Sequence, residues 1–278
     1  MKSTESTTIN KIFRQVVLKP KKSLGQNFLI DKNVLEKITN TINIKNKTIL
    51  EIGPGTGNLT NFLLEKKPKK FYVIEKDENL VSILKDKFKD QIIIINDDVL
   101  NCDENLISEE KLIVFGNLPY NISTEILCKW ILNSHDKKIW FSHLILMFQK
   151  EVADRIISNY DSSNYGRLSI LANWKLNINK ITDIKPNSFF PKPKVESSLL
   201  FFSPKDNYPK FKNPFNLEKI TRIFFNHRRK MIKKPYKQLF SENNKILTKL
   251  NIDLNLRPQN LNFETYYKLT DEYEKLRS

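Results

Sequence analysis

Three glycines on alternate positions, Gly53, Gly55 and Gly57, stand directly after the apolar run 48–52. Glycines so placed let the backbone turn tightly and bring its N–H groups to a ligand with no Cβ in the way. The spacing is G-x-G-x-G. A dinucleotide fingerprint needs its third glycine one residue later, where this chain has Asn58, so a pyrophosphate cradle is disfavoured. No Gly-Lys-Ser/Thr follows, which excludes a phosphate-binding Walker loop.

Two acids extend the set. Glu75 ends the apolar run 71–75, a little over twenty residues after Gly53, where a carboxylate can hold both hydroxyls of a ribose. Asp98 follows the run 92–95 and can accept from an adenine amine. A strand with a glycine loop, a strand with Glu and a strand with Asp suit a nucleoside ligand that lacks a pyrophosphate. S-adenosylmethionine is such a ligand.

A second loop supplies groups for work on an amine. Asn117-Leu-Pro-Tyr120 follows the run 112–116, at the strand end where open α/β sheets bind ligands. An adenine amine is a poor nucleophile because its lone pair is conjugated with the ring. The side-chain oxygen of Asn117 and a backbone carbonyl freed near Pro119 can each accept one of its N–H bonds. That draws the nitrogen toward tetrahedral geometry and aims its lone pair at a sulfonium methyl. Tyr120 can stack on the base. No strong general base is needed, so catalysis reduces to proximity and alignment.

These loops need strands and helices to hold them. From about 30 to 200, β-rich runs at 48–52, 71–75, 92–95, 112–116, 144–148 and 197–202 alternate with stretches of helical spacing such as Val34, Leu35, Ile38 and Ile42. That alternation predicts an α/β fold, a doubly wound, Rossmann-like sheet, and the S-adenosylmethionine reading of its loops makes it a methyltransferase sheet. The Pro/Lys/Asn-rich stretch 204–214 reads as a linker. After it only helical patterns return, at 217–225, 245–250 and 264–276, which predicts a small C-terminal all-helical domain. The expected division is a basic flexible arm at 1–22, a methyltransferase domain at 23–203 and a helical RNA-contacting domain at 204–278.

At 278 residues and 40% hydrophobic, the chain can bury an ample core and a smaller second one. Cys102 and Cys128 form no C-x-x-C pair, which argues against a disulfide framework or a zinc site and fits a reducing cytoplasm. No metal is expected. Neither a signal peptide nor a run long enough to span a membrane is legible, so a cytoplasmic protein without a membrane partner is expected. The balance of 47 Lys+Arg against 31 Asp+Glu gives +16 and suggests a polyanionic partner. An A+T-rich genome, which raises Asn, Ile and Lys together, would also inflate that figure. Placement says more: seven basic residues and no acid lie between Arg222 and Lys237. Arg228 and Arg229, adjacent in a chain that mostly uses Lys, suit the bidentate grip of a guanidinium on phosphate. A solvated helix face is the plain alternative.

Several ordered motifs resemble one family, the ribosomal RNA adenine dimethyltransferases, and within it the small-subunit enzymes of the kasugamycin-sensitivity type. They are Leu24-Gly-Gln-Asn-Phe-Leu29, the glycine loop, Val73-Ile-Glu75, Asp97-Asp98, Gly116-Asn-Leu-Pro-Tyr-Asn-Ile-Ser-Thr124 and Phe148-Gln-Lys-Glu-Val152. Tyr165-Gly-Arg-Leu-Ser169, Phe189-Phe-Pro-Lys-Pro-Lys-Val195 and Phe225-Asn-His-Arg-Arg-Lys230 complete the series. The resemblance implies that Asn27 and Leu29 reach the methionine end of S-adenosylmethionine, with Gly53, Gly55, Glu75, Asp98 and Asn117 lining the rest. It implies that Phe189 sandwiches a flipped adenine against Tyr120, beside Asn117 and Pro119. It further implies dimethylation of two adjacent adenosines in a hairpin near the 3′ end of small-subunit RNA, with a part in late subunit assembly. Lys21, Lys22, Arg222, Arg228, Arg229 and Lys230 are the expected RNA contacts, and a monomer is the expected state. Lys192 interrupts the proline run that the family often carries in the Phe189 motif.

His135, His143 and His227 lack partner spacing for a metal or a triad. Trp130, Trp140 and Trp174 sit among apolar neighbours and read as core, and Phe189 with Phe190 can equally plug the sheet. The roles of Arg155 and Arg167, in ion pairs or on RNA, stay open. Three other functions compete: the macrolide-resistance enzyme that methylates large-subunit RNA, a DNA adenine methyltransferase, and a non-catalytic assembly factor. The first tends to read Ser-Gln-Asn-Phe and Asn-Ile-Pro-Tyr, where this chain has Gly25-Gln-Asn-Phe28 and Asn117-Leu-Pro-Tyr120.

Overall fold

The computed structural model describes residues 20–21, 24–133, 139–241 and 243–277. Elements run in chain order β1 (Phe28–Leu29), α1 (Lys32–Thr39), β2 (Thr48–Ile52), α2 (Asn58–Glu65), β3 (Lys70–Ile74), α3 (Glu78–Phe88), β4 (Ile93–Ile95), β5 (Leu112–Asn117) and α4 (Ser123–Asn133). They continue as β6 (Phe141–Gln149), α5 (Lys150–Ile157), α6 (Arg167–Lys175), β7 (Leu176–Ile184), β8 (Phe189–Phe190) and β9 (Ser197–Pro204). The last four helices are α7 (Phe215–Phe225), α8 (Lys233–Phe240), α9 (Asn244–Leu250) and α10 (Phe263–Lys275).

Seven strands form one sheet in the order β4-β3-β2-β5-β6-β9-β7. The five from β4 to β6 are parallel, and β9 and β7 add an antiparallel edge. Successive side chains of a strand leave opposite faces of a sheet, and here both faces are apolar. Leu50, Leu112, Val114, Leu144, Leu146 and Phe148 join one cluster. Ile49, Ile113, Phe115, Ile145 and Met147 join the other. Strands buried on both faces explain why the sequence shows unbroken apolar runs rather than alternation.

The β7 strand was not among the expected runs. As an edge strand it spaces its four apolar residues among polar ones and carries a bulge between Lys180 and Thr182, so no continuous apolar run marks it. Helix α8 also escaped the pattern, hidden in the basic run. Pro235 sits in its first turn, where no intrahelical N–H bond is lost.

The stretch 204–214 is packed down. Trp174 Nε1 donates to Pro209 O at 2.8 Å, and the Trp174 and Phe211 rings lie 5.0 Å apart. Leu217, Phe224, Tyr236 and Tyr266 of the C-terminal helices share the hydrophobic cluster of Trp130, Tyr165 and Trp174. Trp130, Trp140 and Trp174 are all buried, as expected.

Candidate active site

The C-terminal ends of β2, β3 and β5 open into one cleft, the place where a parallel sheet leaves room for a ligand. Gly53, Gly55, Glu75, Asp98, Asn117, Pro119 and Tyr120 line it, with Asn27 and Leu29 across its mouth. Gly53 has φ +64° and nothing within 4 Å of the place a Cβ would occupy, so the loop backbone faces open space. Gly55 has φ +59°, and a Cβ there would meet the Phe28 ring at 2.8 Å. Phe28, not singled out from the sequence, therefore packs directly on the glycine loop and lines the cleft. Its place inside the motif 24–29 was the available signal.

Glu75 is buried just past β3. Its Oε2 accepts from Gly55 N at 3.2 Å and its Oε1 from Asp77 N at 2.9 Å. A carboxylate has about four lone-pair sites, so both oxygens keep capacity for ribose hydroxyls. Burial pushes its carboxyl above the usual range, opposed by those N–H bonds. Asp98 is held the other way: the Lys76 ammonium, 2.7 Å from Oδ2, keeps it below that range, and Leu100 N donates to Oδ1. Glu51 is a further acid on the cleft wall that the sequence reading passed over. Its signal was a charge in the middle of an otherwise apolar strand. Burial raises its carboxyl to about 8 against the pull of a 2.7 Å bond from Thr60 Oγ1.

A strap at 24–29 closes the mouth. Asp77, the N-cap of α3, receives Lys21 Nζ at 2.8 Å and Gln26 Nε2 at 3.0 Å. Burial works to raise the Asp77 carboxyl, and these bonds together hold it below its ordinary value. Asn58 Nδ2 donates to Leu29 O at 2.8 Å, and Asn117 Nδ2 donates to Asn27 O at 2.7 Å. Lys21, expected on RNA, is thus engaged in an ion pair with Asp77. Lys22, the other expected contact on the arm, lies outside the described residues, as do Lys19 and His135.

In the target loop, Tyr120 Oη and Ser197 Oγ lie 2.6 Å apart, which fixes the ring against β9. Burial raises the phenol, opposed by that bond. Ile122 N donates to Pro119 O at 3.1 Å, so the Pro119 carbonyl is already engaged. Phe189 stands elsewhere than expected. It is 3% exposed among Leu29, Ile184 and Leu199, outside the cleft lining, because its pairing with Leu29 turns it into the core. Phe190 is 47% exposed.

On the helical side, Arg229 and Lys230 are exposed, and Arg222 is exposed beside Glu218 at 3.8 Å. Arg228 is a correction to the sequence reading. Its Nη2 donates to the carbonyls of Ser162 and Ser163 and its Nε is buried, so its fork holds a loop of the protein. Arg155 pairs with Glu151 and Arg167 with Glu218. None of the helices among the described residues is long and apolar enough to cross a membrane.

Comparison with known proteins adds to this geometry. A family profile described as ribosomal RNA adenine dimethylase matches residues 17–275. The ribosomal RNA small subunit methyltransferase A of Pelagibacter ubique is 64% identical over 260 residues, covering 94% of this chain and 99% of that one. The protein of the same name from Ehrlichia canis is 41% identical, covering 91% and 96%. Among solved structures, a dimethyladenosine transferase from Plasmodium falciparum superposes with a TM-score of 0.74 at 28% identity, over 89% of this chain and 98% of that one. A 23S rRNA methyltransferase, ErmE, superposes at 0.65 with 20% identity over 89% and 99%, a likeness of fold.

Proposed function

The chain belongs to the ribosomal RNA adenine dimethylase family, and from that premise we propose that it dimethylates two adjacent adenosines in a hairpin near the 3′ end of small-subunit RNA. Membership carries the reaction class and the methyl donor with it: adenine methylation from S-adenosylmethionine. The finer reading is that the enzyme is a cytoplasmic monomer acting on an incompletely matured small subunit and contributing to its late assembly.

One observation carries the reading: the Asn117–Tyr120 loop opens into the same cleft as the glycine loop, with the Asn117 NH₂ turned to Asn27 O. That leaves Asn117 Oδ1 to accept from the target amine. The carbonyl of Leu118, adjacent to Pro119, would be the second acceptor, since that of Pro119 is taken by Ile122. The donor's sulfonium supplies the methyl group. Around it, Glu75 would hold the ribose, Asp98 the adenine amine, and Asn27 and Leu29 the methionine end. Tyr120, fixed through Ser197, would present one face to the base. Arg222, Arg229 and Lys230 on the helical domain would meet phosphates. The described residues hold no compact module for reading sequence, which favours selection of the target by RNA shape. Flipping a base costs least where it is already unpaired, which favours a loop held in a subunit.

The test supplies labelled S-adenosylmethionine with unmethylated small subunits, large subunits, naked ribosomal RNA and duplex DNA, and maps the label. Dimethyladenosine at adjacent positions in small subunits is the expected product. Label mainly in large subunits or DNA overturns the substrate assignment, and tight binding without label overturns the catalytic one.

A further inference from the structure

The antiparallel pair β1–β8 sets Phe28 opposite Phe190 and Leu29 opposite Phe189. Opposed residues of such a pair project from the same face, and successive residues from opposite faces. The two faces have different fates. Leu29 and Phe189 enter the core, at 4% and 3% exposure, although Leu29 also borders the cleft. On the other face Phe28 lies on the glycine loop and lines the cleft, while Phe190 beside it stands 47% exposed and outside the lining. Together they make an aromatic step that leads from the cleft wall to the surface.

The surroundings of that step are basic. Lys185, Lys192 and Lys194 are all exposed, and residues 185–194 contain no acid. Pro191 and Pro193 restrict the backbone around Lys192. Exposed aromatic faces interleaved with basic side chains are how proteins hold unpaired nucleic acid, since every base has a π-face and every nucleotide a phosphate.

We propose that Phe190 is a stacking platform for the unpaired nucleobase next to the target adenosine, with Lys192 and Lys194 on the flanking phosphates. The assignment rests on the chain acting on RNA as proposed. The base is the neighbour because the target must reach Asn117 and Tyr120 inside the cleft, and Phe190 stands outside that lining. The subsite is sequence-tolerant, because a phenyl ring offers a face and no hydrogen bond. It also makes a single-stranded flank a requirement for a good substrate.

Phe190→Ala should raise KM for unmethylated small subunits by about 5- to 150-fold, the loss of one base–aromatic stack. Saturated turnover, cofactor affinity and melting temperature should stay near wild type, and Phe190→Trp should restore KM. Lys192→Gln with Lys194→Gln should flatten the log–log salt dependence of RNA binding by about 1.4 units, at 0.7 per single-strand phosphate. An unchanged KM, or a loss of melting temperature and cofactor affinity in step with KM, overturns the platform. A direct readout separates this from failure of the proposed reaction. Trp130, Trp140 and Trp174 are buried, so the indole introduced by Phe190→Trp should dominate fluorescence quenching by an unpaired oligoriboadenylate. Absent methylation with quenching intact sinks the reaction alone, and absent quenching sinks the platform.

Discussion

Asn117 Nδ2 donates to the main-chain carbonyl of Asn27 at 2.7 Å, across 90 residues of sequence. A carbonyl only accepts, so this bond decides which way the Asn117 amide faces. The strap that closes the cleft thereby orients the side chain proposed to act on the target amine.

Asn117→Ala should therefore leave cofactor affinity within a few-fold of wild type while methyl transfer falls by two orders of magnitude or more. Asn117→Asp should do no better, because a carboxylate cannot donate to Asn27 O. Calorimetry beside single-turnover kinetics checks both. Affinity and turnover falling in parallel would make Asn117 a cofactor ligand only.

The Gly55–Phe28 contact is open to a double-mutant cycle. Gly55→Ala imposes a left-handed backbone on a residue with a Cβ, at about 1–2 kcal/mol, and presses that Cβ on the Phe28 ring. Cofactor affinity should drop at least about tenfold. Adding Phe28→Ala should recover the packing part of the stability loss and leave the backbone part. Strictly additive melting shifts would mean that the two residues do not press on each other.

Stability should depend on pH through Glu51. Its carboxyl is raised from 4.5 to about 8 by burial, with Thr60 and Lys87 opposing and Glu75 adding. Between those values the folded chain keeps a proton that the unfolded chain releases. The contribution is whole below about pH 4.5 and is lost as pH rises through about 8, at no more than about 1.4 kcal/mol per unit. Glu51→Gln keeps the shape and removes the titration. Urea midpoints at pH 5, 6.5 and 8 should shift in favour of the variant as pH rises, and parallel curves would discard Glu51 as the titrating group.

Arg228 and its neighbours should separate. Arg229→Gln with Lys230→Gln should weaken RNA binding and flatten the salt slope by roughly 1.4–1.8 units, at 0.7–0.9 per lost contact. Arg228→Ala should instead lower the melting temperature, because its guanidinium holds Ser162 and Ser163. A salt slope flattened by Arg228→Ala at unchanged stability would reverse that assignment.

Most of what lines the cleft near the backbone was legible in the sequence. Glycine spacing, Glu75 after one strand and Asp98 after another depend on local order, and a parallel sheet brings such strand ends together by rule. Asp77 as a latch depends on partners far along the chain, Lys21 and Gln26, and Glu51 as a cleft wall depends on Thr60, which only the turn of the glycine loop brings back against it. Phe189 and Phe190 show the limit best. Two identical residues in one motif differ in fate by the period of a strand, and only the pairing with β1 says which ring goes inward. Arg228 and Arg229 repeat the lesson in a turn.

The β1–β8 ladder also has a consequence in time. Among the described residues β1 pairs with no strand other than β8, so the ladder carrying Phe28 waits for Phe189 and Phe190, far later in the chain. A nascent chain that has emerged through Asn117 holds the glycine loop, Glu75, Asp98 and the two asparagines that bond to the carbonyls of Asn27 and Leu29, yet lacks the strand partner of β1. Synthesis thus delivers the floor of the cleft first and its roof last. The ladder over the site proposed for the donor is completed only after a ribosome has made about two thirds of the chain.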